Sequence, residues 1–197
     1  MNKYVLTEFL ELDNDHSLLT EDDKKMVEAG EIILAGRLQK ADSKNGNGRI
    51  YPKRTLEREV ENYKKLVSEK RALGELDHPD SSVIELKNAS HIISHIEMRG
   101  DEVIGKLRLL DTPAGRIAKD LIRGGVKLGV SSRGLGSTKE QNGNTMVQDD
   151  FQLICFDLVS EPSTTGAYLF KENKQPNIFT KSDKIYRAMN DILSEGE

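Results

Sequence analysis

Leu128-Gly129-Val130-Ser131-Ser132-Arg133-Gly134-Leu135-Gly136 places two hydroxyls and a permanent positive charge among glycines, just after a helix-like segment that ends at Gly124-Gly125. Val126 to Ser132 reads as a strand, and strand alternation sends Ser131 and Ser132 to opposite faces, so only one of them can face a given partner. A hydroxyl is a poor nucleophile until a neighbouring base takes its proton. The base is supplied upstream by Gly74-Glu75-Leu76-Asp77-His78-Pro79, where Pro79 biases His78 toward an extended backbone. Serines beside glycines more often satisfy turns, but a serine in this setting with a distant histidine is the minimum equipment for acyl transfer.

Working outward from this stretch, the chain alternates strand and helix patterns. Residues 31–41 are enriched in β-branched and aliphatic side chains and run into the turn-rich Asn45-Gly46-Asn47-Gly48, which predicts a strand and a loop. From Pro52 to Arg71, Leu56, Val60, Tyr63 and Val67 recur at three- and four-residue spacing, predicting a helix with Pro52 in its first turn and Gly74 as its stop. His91–Met98 and Glu102–Leu110 alternate about Arg99-Gly100-Asp101 and predict a hairpin. Thr112-Pro113 opens a second helix with Ile117 and Leu121 on one face. Met146 to Val159 is a further strand, reached through the polar turn Gln141-Asn142-Gly143-Asn144. Several strands with two intervening helices give an α+β domain on an antiparallel sheet or barrel.

Composition limits the function classes. The chain has 197 residues, about one domain, and a domain of this size buries roughly 70% of its extended surface. A formal charge of −4, with both signs interspersed, leaves no basic footprint for nucleic acid and no polybasic membrane anchor. The expected partners are proteins. The single cysteine, Cys155, cannot form an internal disulfide, and neither a secretory signal nor a membrane-spanning run is evident. His91 and His95 are four apart, a ligand spacing on a helix, and in a strand both would share a face; with no third ligand, neither a metal nor a cofactor is expected. Residues 1–28 are acidic and aperiodic and read as a mobile arm, 29–172 as the catalytic domain, and 173–197 as a helical tail with Ile185, Met189, Ile192 and Leu193 on one face.

Three blocks, Gly48-Arg49-Ile50-Tyr51-Pro52-Lys53-Arg54, Ala72 through Pro79, and Gly129 through Ser137, occur in an order and spacing that resemble the prohead core proteases of T-even-type tailed bacteriophages. The resemblance implies a serine endopeptidase related in fold to the herpesvirus assembly proteases, with an antiparallel β-barrel-like core surrounded by helices. It implies His78 and Ser131 as base and nucleophile. It also implies scaffold, core and capsid proteins as substrates, an oligomeric enzyme, and action in the host cytoplasm inside the immature head. Cleavage after glutamate in Leu-x-Glu or Ile-x-Glu sites is part of the same implication. Leu6-Thr7-Glu8, Leu19-Thr20-Glu21 and Leu193-Ser194-Glu195 match that pattern, so self-trimming after Glu8, Glu21 or Glu195 is expected.

The third member of a triad must hold the imidazole tautomer and stabilise its charged form. Asp157 is the preferred candidate, an acid in an otherwise apolar strand where an unpaired carboxylate would be costly; Asp77 and Glu75 are less favoured because they lie so near His78 in sequence. Arg133 offers donors two residues past the serine, and backbone amides near Gly134 offer another, for a developing oxyanion. Two alternatives remain open from the sequence: a catalytically silent scaffold or capsid-assembly protein, and a hydrolase of small esters using the same dyad.

Overall fold

The computed structural model describes residues 18–77, 79 and 81–160, and of residues 4–10 the backbone with the Leu6 side chain. The elements run β1 (Tyr4–Leu10), α1 (Glu21–Glu28), β2 (Ile33–Lys40), β3 (Arg49–Ile50), α2 (Lys53–Ser68), β4 (Leu73–Glu75), β5 (Ala89–Arg99), β6 (Glu102–Leu109), α3 (Pro113–Arg123), β7 (Gly129–Gly136), β8 (Thr138–Gln141), β9 (Asn144–Val147) and β10 (Gln152–Val159).

These strands make three sheets: β1-β7-β10, β2-β6-β5-β4, and a small β3-β9-β8 sheet. The first two are antiparallel throughout, while β3 joins β9 in parallel. A parallel bridge between Leu76 and Leu158 links the first two sheets on one side, and β1 lies beside β2 on the other. Among the described residues the hydrogen-bonded ladders do not close, so the expected barrel-like core is present as mixed α+β architecture with separate antiparallel sheets.

The strongest periodic segment forms α2, with Leu56, Val60 and Tyr63 no more than 2% exposed. Burying each such side chain is worth roughly 1.5–3 kcal/mol. Tyr63 meets Phe156 of β10 edge to face at 5.7 Å, while the helix packs chiefly along β5. The helix stops at Ser68 through a left-handed Lys70 (φ 56°), whereas Gly74, expected as the stop, lies in β4. Its missing side chain serves packing: a Cβ there would fall 2.0 Å from the Phe156 carbonyl oxygen and 2.3 Å from His91 Nε2.

The β5–β6 hairpin forms as its alternation predicts, with Gly100 at φ 69° in the turn. A register shift between Ile93 and His95 inserts Ser94 as an extra residue. The bulge inverts the alternation, so His91 is buried while His95 points to the partly exposed face. The two histidines therefore do not share a face. In α3, Thr112 caps the Gly115 amide and Ala118 faces inward; Ile117, expected on the buried stripe, is 54% exposed.

Where an arm was expected, residues 4–10 supply β1 and residues 21–28 supply α1. The helix has no broad apolar stripe. It is held by a capping box between Thr20 and Asp23 and by a buried pair, Lys106 Nζ to Asp23 Oδ2 at 2.5 Å. Burial pushes the Asp23 carboxyl up, but Lys106 and the Thr20 hydrogen bonds together outweigh it and hold it below its ordinary value. The expected single strand 146–159 is two, β9 and β10, separated at 148–151. The Asn142-Gly143 turn, with both residues at positive φ, joins β8 to β9. The tail 173–197 lies outside the described residues.

Candidate active site

The middle strand of the three-stranded sheet, β7, owes its conformation to neighbours on both edges. Ser131, Ser132 and Arg133 are at most 1% exposed although all are polar. Gly134 and Gly136 make room for Phe151: a Cβ on Gly134 would meet Phe151 Cε2 at 2.4 Å and the Gln152 carbonyl at 2.6 Å. Gly134 lies within the ladder, opposite Leu6 on β1 and Leu153 on β10.

Ser131 pairs with Phe9 on one side and with Asp157 on the other. Directly opposed residues project to one face, so the Ser131 hydroxyl and Asp157 carboxylate share a face, with Ser132 on the other beside Phe156. The Ser132 hydroxyl is buried without a hydrogen-bond partner.

Asp157 is wholly buried and gathers groups from three segments. Its Oδ1 accepts from the Glu75 amide (3.0 Å), Arg133 Nη2 (3.1 Å) and the Cys155 thiol (3.3 Å). Its Oδ2 lies 2.9 Å from Arg133 Nε but accepts no well-aligned hydrogen bond. Burial raises the Asp157 carboxyl above its ordinary value, with the Arg133 charge pulling the other way. Burial also pushes the Cys155 thiol far up, seconded by the Asp157 charge, so this thiol stays protonated and offers no competing nucleophile.

The Arg133 guanidinium, 0% exposed, is neither solvated nor open to a substrate in this arrangement. It pairs with Asp157 and Glu75, and its Nη1 donates to the Ser81 carbonyl at 2.7 Å. Glu75, also fully buried, uses its other oxygen, Oε1, to accept from the Glu85 amide at 2.9 Å.

His78 lies outside the described residues. The residues leading into it are fixed: the Leu76 amide donates to the Asn88 carbonyl, and the Asp77 amide to the Leu158 carbonyl at 2.8 Å. Asp77 is left-handed, φ 61°, a conformation Asp adopts more readily than most residues but at some cost. The path to His78 therefore leaves the sheet from beside β10, next to the strand that opposes Ser131. Glu8 is placed by its backbone in β1, opposite Ser132; Glu21 opens α1; Glu195 lies outside the described residues.

The buried His91 is an anchor between strands. His91 Nε2 lies 2.9 Å from the Phe156 carbonyl and Nδ1 lies 2.9 Å from Ser90 Oγ. A carbonyl only accepts, so Nε2 carries the proton and Nδ1 accepts from the serine. Burial pushes its pKa down to about 4 against the opposing Phe156 carbonyl, so the ring is neutral near pH 7. Among the described residues, no three His, Cys, Asp or Glu side chains are grouped to hold a metal, and no helix is long and apolar enough to cross a membrane.

A family model described as prohead core protein serine protease matches residues 10–183, most of the chain and all of this arrangement. The chain belongs to the prohead core serine protease family. It is 33% identical, over a 174-residue alignment covering 83% of this chain and 82% of the other, to the prohead core protein protease of Enterobacteria phage T4. The solved structure of the bacteriophage T4 capsid assembly protease, gp21, superposes with a TM-score of 0.70 at 28% identity, covering 82% of this chain and 100% of that one. As a prohead core protease, the chain is a serine protease of phage head assembly.

Proposed function

We propose that this enzyme cleaves core, scaffold and capsid proteins of the immature head after glutamate in Leu-x-Glu or Ile-x-Glu sites, with Ser131 as nucleophile and His78 as base. The observation that carries this reading is the meeting of three segments along β10: Ser131 stands opposite Asp157, the Glu75 amide donates to Asp157, and the Asp77 amide donates to Leu158. Asp157 is the third member. Its Oδ2, ion-paired with Arg133 but without an aligned hydrogen bond, keeps acceptor capacity for a His78 ring N–H.

In the first half-reaction His78 takes the Ser131 proton as Oγ bonds to the scissile carbonyl carbon. The tetrahedral intermediate collapses with loss of the amine, which leaves with the proton from His78. Water then attacks the acyl-enzyme with His78 again as base, freeing the new carboxylate and restoring Ser131. Arg133 is engaged by two carboxylates and a carbonyl, so its contribution to the oxyanion runs through the backbone it holds near Gly134. The first two sheets correspond to an incompletely closed barrel of the herpesvirus-protease kind, and the enzyme works as an oligomer within the head.

Self-processing is part of this reading. The Leu6-Thr7-Glu8 match lies on β1, and its register sets Glu8 and Phe9 across from Ser132 and Ser131. The deciding experiment is mass spectrometry of a peptide carrying an Ile-x-Glu site after incubation with wild type and Ser131→Ala. Cleavage after the glutamate by wild type alone is expected; equal cleavage by both would remove Ser131 from the role.

A further inference from the structure

Resting on the assignment of His78 and Ser131 above, we infer that Glu75 and Arg133 are positioning residues that clamp both ends of the loop bearing the catalytic histidine. The loop leaves β4 at Leu76 and returns at the single 3₁₀ turn Leu86–Asn88. Past Leu76, which packs against the core, its Val83 and Leu86 are exposed, 67% and 74% accessible. Polar contacts hold it instead. Arg133 on the nucleophile strand donates to the Ser81 carbonyl at 2.7 Å, three residues past His78. Glu75, three residues before His78, pairs with the same guanidinium through Oε2 and accepts the Glu85 amide through Oε1 at 2.9 Å.

One buried ion pair therefore ties the start, the middle and the far end of the loop to the strand that carries Ser131. The paired side chains are wholly buried, so the ion pair is made away from competing water, while its bonds to Ser81 and Glu85 reach the partly exposed loop. The chemistry of the acid is specific. Both groups that approach Glu75 are donors, and a carboxylate has an acceptor for each, whereas a carboxamide has one acceptor oxygen. Glutamine at this position can satisfy Arg133 or the Glu85 amide but not both. Lysine in place of Arg133 keeps a charge but lacks the planar fork that reaches Asp157, Glu75 and Ser81 together. Imidazole placement controls proton transfer, and an error of about 1 Å in such a group costs roughly 10²-fold in rate.

The test uses Glu75→Gln and Glu85→Pro in the full chain. The second removes the loop N–H from the clamp, together with an exposed side chain that meets only Lys87 and Asn88 within the same turn, at a residue whose φ of −86° lies about 20° from that of the proline ring. Cleavage of the Ile-x-Glu peptide is followed as kcat and KM, and hydrogen exchange is followed across residues 76–85. The expected result is faster exchange in the loop in both variants, with kcat lowered at least about tenfold in Glu75→Gln and KM within about threefold of wild type. Faster exchange with unchanged kcat, or unchanged exchange in both variants, would overturn the clamp. If Glu75→Gln does not fold, Glu85→Pro alone decides, by the same pairing of exchange and kcat. A wild-type chain that cleaves nothing would instead sink the catalytic assignment on which the clamp rests, a different failure from an active wild type with indifferent variants.

Discussion

Asp157 stands directly across from Ser131 in the β7–β10 ladder, yet its carboxylate is held by Arg133 and by the Glu75 amide. Strands β7 and β10 are thus tied by a buried charge pair one pleat away from the serine. Removing one member of such a pair leaves the other charge without compensation in a low dielectric, a loss of roughly 3–5 kcal/mol. Arg133→Met, which strands Asp157 and Glu75 together, should lower stability by about this amount, and Asp157→Asn, which leaves Arg133 its pair with Glu75, by less. The double variant should cost less than the two singles together by more than about 1 kcal/mol, measured by urea denaturation. Additive losses would show that the two side chains do not support one another.

Acid sensitivity should trace to His91. Its folded pKa, about 4, lies below the ordinary value of 6.5, so the unfolded chain binds the proton more readily. Stability from this group is therefore complete above pH 6.5 and falls as pH drops toward 4, by about 3 kcal/mol over the window. His91→Gln, which keeps a donor for the Phe156 carbonyl, should flatten the slope of unfolding free energy between pH 7 and pH 4. An unaltered slope would assign the acid sensitivity to other groups.

The three Leu-x-Glu matches should not be cut alike. Glu21 is the first residue of α1, where the Thr20–Asp23 capping box and the Asp23–Lys106 pair hold the chain. Proteolysis needs a locally opened segment, so an active, folded preparation should keep the Glu21–Asp22 bond. Lys106→Met should loosen α1 and bring a fragment ending at Glu21 into the intact-mass spectrum. The same fragment at equal yield from the wild type would mean that the helix offers no protection.

Gly74→Ala should be among the least tolerated glycine substitutions. Its added carbon would meet the Phe156 carbonyl and the His91 ring well inside contact distance, so β4 must move away from β10. A loss of about 1–3 kcal/mol or more is expected for such overpacking. Because Glu75 and the path to His78 follow immediately, peptide cleavage should fall with it. A variant with wild-type unfolding midpoint and activity would show that β4 can shift freely.

Elements that carry their own periodicity were legible in the sequence. Helix α2, the β5–β6 hairpin and α3 each form where an apolar spacing predicts them, although α2 stops at Lys70 and not at Gly74, and Ile117 of the α3 stripe faces outward. What escaped depends on single long-range contacts. Helix α1 is anchored by the Asp23–Lys106 pair, β1 by its pairing with β7, and β4 is three residues long. The Ser94 bulge separated two histidines that regular alternation puts together. In the site, Asp157 stood out because an acid in an apolar strand needs a partner, but nothing local identified that partner as Arg133. The signal was a matched set: a cation in a glycine-rich strand, with two acids in strands that bury their side chains.

The order in which the ribosome delivers the chain is set against its topology. Tyr4 pairs with Gly136, so β1, made before the other described strands, must wait for one made more than a hundred residues later, and β7 gains its second neighbour only when Val159 is complete. At about 5–20 residues per second that wait is roughly 6–30 s. The β2-β6-β5-β4 sheet, whose strands are all finished by Leu109, can assemble in the meantime. The sheet bearing Ser131 is the last part of the described fold to close, so a chain released before Val159 lacks the β10 neighbour that sets Asp157 across from Ser131.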